Sequence, residues 1–304
     1  MEPIIKISHL NKSYKDVKAV NDLSFTVNRG ELFAFLGVNG AGKSTTIHII
    51  CSQLSKDSGE VIIDGYNLDT QKESIKRKLG VVFQNSVLDK DLSVYDNLLY
   101  RGSLYGLSKK ECQKRIETLS IQLQFKDYLN RSLSKLSGGQ KRRIDVARAL
   151  IHDPEILILD EPTTGLDPQT RNVLWSFIEY LRKEKGMTLF LTTHYMEEAA
   201  SADSVVILDH GQIVASGSPL DLKNQYANDY ITLYGVCEDK VKMLALPYEK
   251  IKDAYRIEIK NTRDATSLIC QYPSLFVDYE ITKGKMDDVF LAVTGKKLTG
   301  GDEK

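Results

Sequence analysis

The sequence has little of what would announce a function at once. Its four cysteines, Cys51, Cys112, Cys237 and Cys270, lie far apart and form no C-x-x-C pair. That argues against a zinc ribbon or a disulfide framework and predicts reduced cytosolic thiols. Neither sign of charge is in excess: Lys+Arg and Asp+Glu both number 41, so the formal net charge is zero. Chains that bind nucleic acid over their whole surface are usually basic, so the balance predicts no nucleic-acid partner. No apolar run approaches the ~20 residues that cross a bilayer. The opening Met1–Lys6 also lacks a charged-then-apolar leader. Any work at a membrane is therefore expected to go through a partner. What is present is 304 residues with 42% apolar content, enough for one large α/β domain and a smaller one.

The chain is organised around Gly37-Val38-Asn39-Gly40-Ala41-Gly42-Lys43-Ser44-Thr45, which reads G-x-x-x-x-G-K-S. Glycines without side chains let backbone N–H groups approach a phosphate closely. Lys43 brings a positive charge to the β- and γ-phosphates, and the Ser44 hydroxyl can sit on Mg²⁺. The context agrees: Glu31–Leu36 is a short apolar run typical of a buried strand, and Thr45–Cys51 continues as a helix whose N-terminus faces the phosphates. The pattern predicts a nucleoside-triphosphate site.

Further along, polar residues stand repeatedly at the ends of apolar strands, where α/β proteins place ligand-binding groups. Gln84 follows Leu79–Phe83, and His194 follows Thr188–Thr193, within reach of a γ-phosphate oxygen. Glu155–Pro162 reads as a buried strand ending in two acids. Asp160 is placed to hold Mg²⁺, and Glu161 to orient or deprotonate a water aimed at the γ-phosphorus. Ser137-Gly138-Gly139-Gln140 opens a helix with free N–H groups, either a simple N-cap or a second anion site that grips the γ-phosphate from the other side. Tyr14, ahead of the phosphate loop, can stack on a nucleobase or be an ordinary tyrosine.

Between these motifs, residues 85–135 are helical, with Ser93 capping one helix and Ser108–Glu111 a capping box opening another. Strands are expected near Ile5–Leu10, Leu23–Val27 and Val61–Gly65, with a turn at Lys56–Glu60 and a terminal hairpin through His210-Gly211. Residues 223–304 change pattern. Alternating runs at Asp229–Tyr234, Ala254–Lys260 and Phe276–Ile281, with helices near 239–246, 263–271 and 285–293, predict a small β-α-β-α-β-α domain. The tail Gly300–Lys304 is expected to fray.

Taken together, the stretches resemble the ATP-binding cassette (ABC) family. Order and spacing fit over about residues 1–222: the adenine-stacking aromatic at Tyr14, Walker A at 37–45, the Q-loop at Gln84, the signature at 136–140, Walker B with its glutamate at 156–161, the D-loop at Thr164–Asp167 and the switch histidine at His194. Val38 stands where the family often has proline. The segment Met286–Gly295 resembles the closing segment of drug-resistance exporter ATPases paired with ABC-2 permeases, and Val289, Phe290 and Val293 would equally suit a helix docking on its own domain.

The resemblance implies a P-loop NTPase fold with a β-rich subdomain, a helical subdomain at about 85–150 and an α+β accessory domain at 223–304. It implies ATP and Mg²⁺ as cofactors, with Ser44, Gln84 and Asp160 at the metal. Lys43, Glu161 and His194 form the catalytic set, and Asp167 joins residues 37–45, Tyr14, Gln84 and 137–140 around the nucleotide. It implies a head-to-tail dimer, a homodimer or a pairing with a paralogous cassette, an integral membrane permease as partner and a place on the cytoplasmic face of the membrane. The competing readings are a soluble cassette acting on ribosomes or DNA, and a C-terminal domain that senses a ligand.

Overall fold

The computed structural model describes residues 3–296, so the tail at 300–304 lies outside the described residues. The chain forms two units, one of residues up to 194 with 202–213, the other of 195–201 with the chain from 214 onward.

In the first unit, β1 (Pro3–Tyr14) and β2 (Val17–Asn28) form a hairpin, and β3 (Leu32–Gly37) runs into the loop before α1 (Lys43–Ile50). Then come β4 (Ser58–Ile63), β5 (Tyr66–Asn67), α2 (Lys72–Lys78) and β6 (Leu79–Val82). Three helices follow: α3 (Val94–Leu104), α4 (Lys109–Gln122) and α5 (Gly138–Leu150). The chain continues through β7 (Ile156–Asp160), α6 (Pro168–Lys185) and β8 (Thr188–Thr193), passes through the short α7 (Met196–Ala199) of the second unit, and returns for β9 (Ser204–Asp209) and the start of β10 (Gln212–Gly217).

These strands build an antiparallel sheet of order β2-β1-β4-β5 and a six-stranded sheet of order β10-β9-β3-β8-β7-β6. From β9 to β6 every neighbouring pair of the larger sheet is parallel. That explains why β3, β7 and β8 are buried at every residue, with β3 and β7 reading as apolar runs and β8 as Leu189-Phe190-Leu191 flanked by buried threonines. The two sheets meet at Phe25, Phe33, Phe35 and Phe190, with ring centroids from 4.9 to 6.2 Å apart. Each such ring taken out of water is worth roughly 1.5–3 kcal/mol. The cluster locks β3 beside β8, and parallel pairing sends the carboxyl ends of β3, β6, β7 and β8 to one edge.

Three expectations need correction here. α1 starts at Lys43, so the phosphate-loop lysine is itself helical. The turn expected at 56–60 is already strand from Ser58. α2 was not expected, because KESIKRK buries only Ile75 and carries no apolar period. The serine caps are where the sequence puts them: Ser93 accepts from Asp96 N, and Ser108 with Glu111 closes a capping box.

The second unit continues with α8 (Pro219–Tyr226), β11 (Asp229–Tyr234), α9 (Glu238–Lys242), β12 (Tyr248–Ile251), β13 (Ala254–Ile259), α10 (Thr262–Gln271), β14 (Tyr279–Thr282) and α11 (Met286–Thr294). Its strands form an antiparallel sheet of order β12-β13-β11-β14 over a core that includes Ile231, Ile257 and Phe276. The strand expected at 276–281 is shorter and later. Phe276 leaves the ladder, is buried, and meets the Tyr279 ring edge-on at 5.7 Å. β12 and α8 were not foreseen. α11 packs on α8 and α7 within this unit, burying Met286, Val289 and Phe290, with Val293 half-buried.

Candidate nucleotide-hydrolysis site

β3 ends at Gly37, and the chain must reach the first turn of α1 within a few residues. Gly42 caps that helix with φ 104°, and a Cβ there would stand 2.4 Å from the Ala19 carbonyl oxygen. A Cβ on Gly37 would come within 2.8 Å of the Leu208 carbonyl and 2.9 Å of Ala41 Cβ. Glycine is thus required at 37 and 42 by backbone packed behind the loop, which is the condition for a main-chain cradle around an anion. Val38 is half-buried, Asn39 and Gly40 are exposed, and Ala41 is buried. Lys43 is buried at 5% exposure, and its Nζ donates to the Gly37 carbonyl at 2.6 Å and the Val38 carbonyl at 3.2 Å. Burial pushes its pKa down, while the charges of Glu161 and Asp160 pull it up. Ser44 is exposed and Thr45 half-buried.

The acids stand at the end of β7. Parallel register sets Asp160 opposite Thr192 of β8, whose hydroxyl donates to Asp160 Oδ1 at 2.5 Å. The same hydroxyl accepts from Glu161 N at 3.1 Å, and so does the Thr192 carbonyl. Asp160 is 5% exposed. Glu161 has φ 45°, a left-handed backbone that costs a residue with a side chain roughly 1–2 kcal/mol. Strain of that kind concentrates at functional sites. Its Oε2 accepts from Gln84 Nε2 and Thr164 Oγ1, both at 3.3 Å, and its Oε1 lies 3.5 Å from His194 Nδ1. The ends of β6, β7 and β8 therefore bring Gln84, Glu161 and His194 together, as three polar strand ends in one parallel sheet can.

β6 is the edge strand of its sheet, and α5 lies close to it: a Cβ on Gly80 would be 2.5 Å from the Ala149 carbonyl. Alternate carbonyls along this edge take side-chain donors from α5 and the turn after it. His152 Nε2 stands 3.1 Å from Leu79 O, Arg148 Nη2 donates to Val81 O at 2.6 Å, and Arg142 Nη1 donates to Phe83 O. Bare strand edges invite pairing with other chains, and these contacts cover this one. Sequence reasoning missed all three residues, and Thr192 as well.

Ser137–Gln140 is held by other contacts. Ser137 caps α5, its Oγ accepting from Gln140 N at 3.2 Å while Gln140 Oε1 accepts from Ser137 N at 2.9 Å. Ser137 and Gly138 are exposed, and Gly139 presses on α6: a Cβ there would be 2.9 Å from Thr170 Oγ1. Asp167 caps α6, accepting from Thr170 N at 2.9 Å and Thr170 Oγ1 at 2.7 Å, and those bonds, the hydroxyl's first, hold its carboxyl pKa down. Tyr14 closes β1 at 48% exposure, with Lys12 Nζ 5.9 Å from its ring centre.

The donor set fits a hard cation shared with phosphate. Among the described residues no cluster of three or more His, Cys, Asp or Glu could hold a metal by itself. One carboxylate, one hydroxyl and one amide oxygen, from Asp160, Ser44 and Gln84, would leave the remaining positions to water and phosphate oxygens, which is how Mg²⁺ is usually held.

Residues 20–164 match the ABC transporter family. The linearmycin resistance ATP-binding protein LnrL of Bacillus subtilis is 33% identical over 97% of this chain and 99% of its own length. The Nod factor export ATP-binding protein I of Cupriavidus pinatubonensis is 35% identical over 97% of this chain and 92% of its own. Among solved structures, the dimeric post-hydrolysis state of the ATP-binding cassette MJ0796 with ADP and Pi aligns with a TM-score of 0.66 at 27% identity, covering 70% of this chain and 98% of that one.

Proposed function

This chain belongs to the ABC transporter family as an ATP-binding subunit that hydrolyses ATP, and on that premise we propose that it powers export through a separate membrane permease. What supports export is the likeness along 97% of the chain, the C-terminal unit included, to proteins named for linearmycin resistance and Nod factor export. The cargo class that follows is a drug, antibiotic, lipid or similar amphiphile. The permease is of the ABC-2 type, and this subunit sits against it at the cytoplasmic face of the membrane. Among the described residues no helix is long and apolar enough to cross a membrane, so the permease provides the span. Residues 1–222 form the ATP-binding part, and 223–304 an accessory part for dimer or permease contact.

In this reading two copies meet head to tail, and each ATP lies between residues 37–45 of one chain and Ser137–Gln140 of the other. Glycines 37, 40 and 42 admit the phosphates to the main chain, and Lys43 turns from its own loop carbonyls to the β- and γ-oxygens. Tyr14 stacks on the adenine and Asp167 borders the nucleotide across the dimer. Ser44, Asp160 and Gln84 would hold Mg²⁺, which would offset the charge that develops on the phosphates. Glu161 accepts a proton from, or orients, the attacking water, and His194 donates to a γ-oxygen. Positioning and electrostatics supply most of the acceleration.

The test is an affinity pull-down from membranes with the Glu161→Gln protein as bait, held with ATP and Mg²⁺. A co-purifying multi-span permease is expected. Ribosomes or a DNA-repair complex, with no membrane protein, would replace the transporter reading by that of a soluble cassette.

A further inference from the structure

One side chain outside the motifs gathers the backbone carbonyls around the hydrolytic acid. Arg142 sits on the first turns of α5, two residues beyond Gln140, and is 8% exposed. Its Nε donates to the Pro162 carbonyl at 2.8 Å. Its Nη2 donates to the Asp160 carbonyl at 2.8 Å and the Glu161 carbonyl at 2.9 Å. Its Nη1 donates to the Phe83 carbonyl. Three consecutive carbonyls of the acid turn and the one just before Gln84 are gathered on one guanidinium.

That arrangement has a mechanical meaning. Thr192 fixes the N–H side of Glu161 and Arg142 fixes its carbonyl side, so the left-handed backbone at φ 45° is held from both directions. The Phe83 bond sets where Gln84 stands, and Gln84 in turn donates to Glu161. A guanidinium suits this because its donors lie in one rigid plane and point at several acceptors together, which a lysine ammonium on a flexible stem cannot reproduce. The cost of burying a cation whose hydrogen bonds go to neutral carbonyls argues against a purely packing role.

We propose that Arg142 is the positioning residue of the hydrolytic site: it aims Glu161 and Gln84 and ties that aim to the orientation of α5, whose first turn is Ser137–Gln140. The proposal rests on the reading of Glu161 as the residue that acts on the attacking water. Because α5 carries the turn that meets the partner's nucleotide in a head-to-tail pair, contact there is passed through Arg142 to the acid of its own chain.

The experiment compares Arg142→Lys, Arg142→Ala and Glu161→Gln with wild type in phosphate release at saturating ATP, in binding of a fluorescent N-methylanthraniloyl-ATP, and in thermal melting. A misplacement of the acid by an ångström is expected to lower kcat about 100-fold, with nucleotide affinity kept within about twofold for both arginine variants. Millimolar guanidinium should restore part of the Arg142→Ala rate, and methylammonium should not. Near-wild-type kcat in Arg142→Lys, parallel loss of binding and turnover, or failure of both variants to fold would each overturn the positioning role. If Glu161→Gln itself turns over normally, the role of Glu161 fails first. If Glu161→Gln is inactive and Arg142→Lys is active, only the Arg142 proposal falls.

Discussion

His152 gives the account a pH signature that can be worked out in advance. Its ring lies flat on Tyr105, centroids 3.8 Å apart and planes 2° from parallel, and its Nε2 stands 3.1 Å from the Leu79 carbonyl. Burial pushes its pKa from 6.5 down to about 4, against the upward pull of the Leu79 bond, with Arg101, Arg115 and Arg148 adding to the fall. A histidine depressed in the native state contributes its full share of stability above the unfolded pKa and loses it as pH falls below that value. At about pH 5.5 the unfolded chain is some ten-to-one protonated there and the native chain scarcely at all, which costs about 1.4 kcal/mol relative to pH 7.5. Toward pH 4 the loss levels off near an upper bound of about 3 kcal/mol. The chain's single tryptophan, Trp175 on α6, belongs to the same unit, so urea unfolding can be followed by its fluorescence. In His152→Phe the ring can still stack on Tyr105, yet it cannot donate to Leu79 or take a proton. That variant should be about 1 kcal/mol weaker at pH 7.5, and should then fall about 1.4 kcal/mol less than wild type on going to pH 5.5. All other groups cancel in the difference. Equal losses in the two proteins would refute the buried, neutral histidine.

Two further perturbations probe the loop and the acid strand. Gly42→Ala puts a Cβ against the Ala19 carbonyl at φ 104°, and should weaken binding of fluorescent ATP by at least about tenfold; unchanged affinity would contradict the cradle. Thr192→Val removes the hydroxyl shared by Asp160 Oδ1 and Glu161 N, and should cost about 1–3 kcal/mol in urea unfolding while also lowering phosphate release; wild-type turnover would remove Thr192 from the site.

How much of this was legible follows from where each contact is written. β3, β7 and β8 could be read because strands buried on both faces carry apolar stretches, and what ends each stretch, the glycine loop after β3, the acids after β7 and the polar residues after β8, then marks the site edge. Ser93, Ser108 and Ser137 could be read because a cap is a local pattern within three residues. α2 and β12 could not, since one is charged with a single buried residue and the other buries none. The strand at 276–281 was misplaced because alternation continues through Phe276, although pairing with β11 begins only at Tyr279. Arg142 and Thr192 left no trace for a different reason. Their partners are main-chain carbonyls and a neighbouring strand, which no side-chain spacing encodes.

The most direct test of the hydrolytic site is the steady-state rate of phosphate release by Glu161→Gln, measured beside its affinity for N-methylanthraniloyl-ATP. The geometry around Glu161 predicts a rate at least about 100-fold below wild type with nucleotide binding retained. Turnover at the wild-type rate would contradict the assignment of Glu161 and the mechanism built on it.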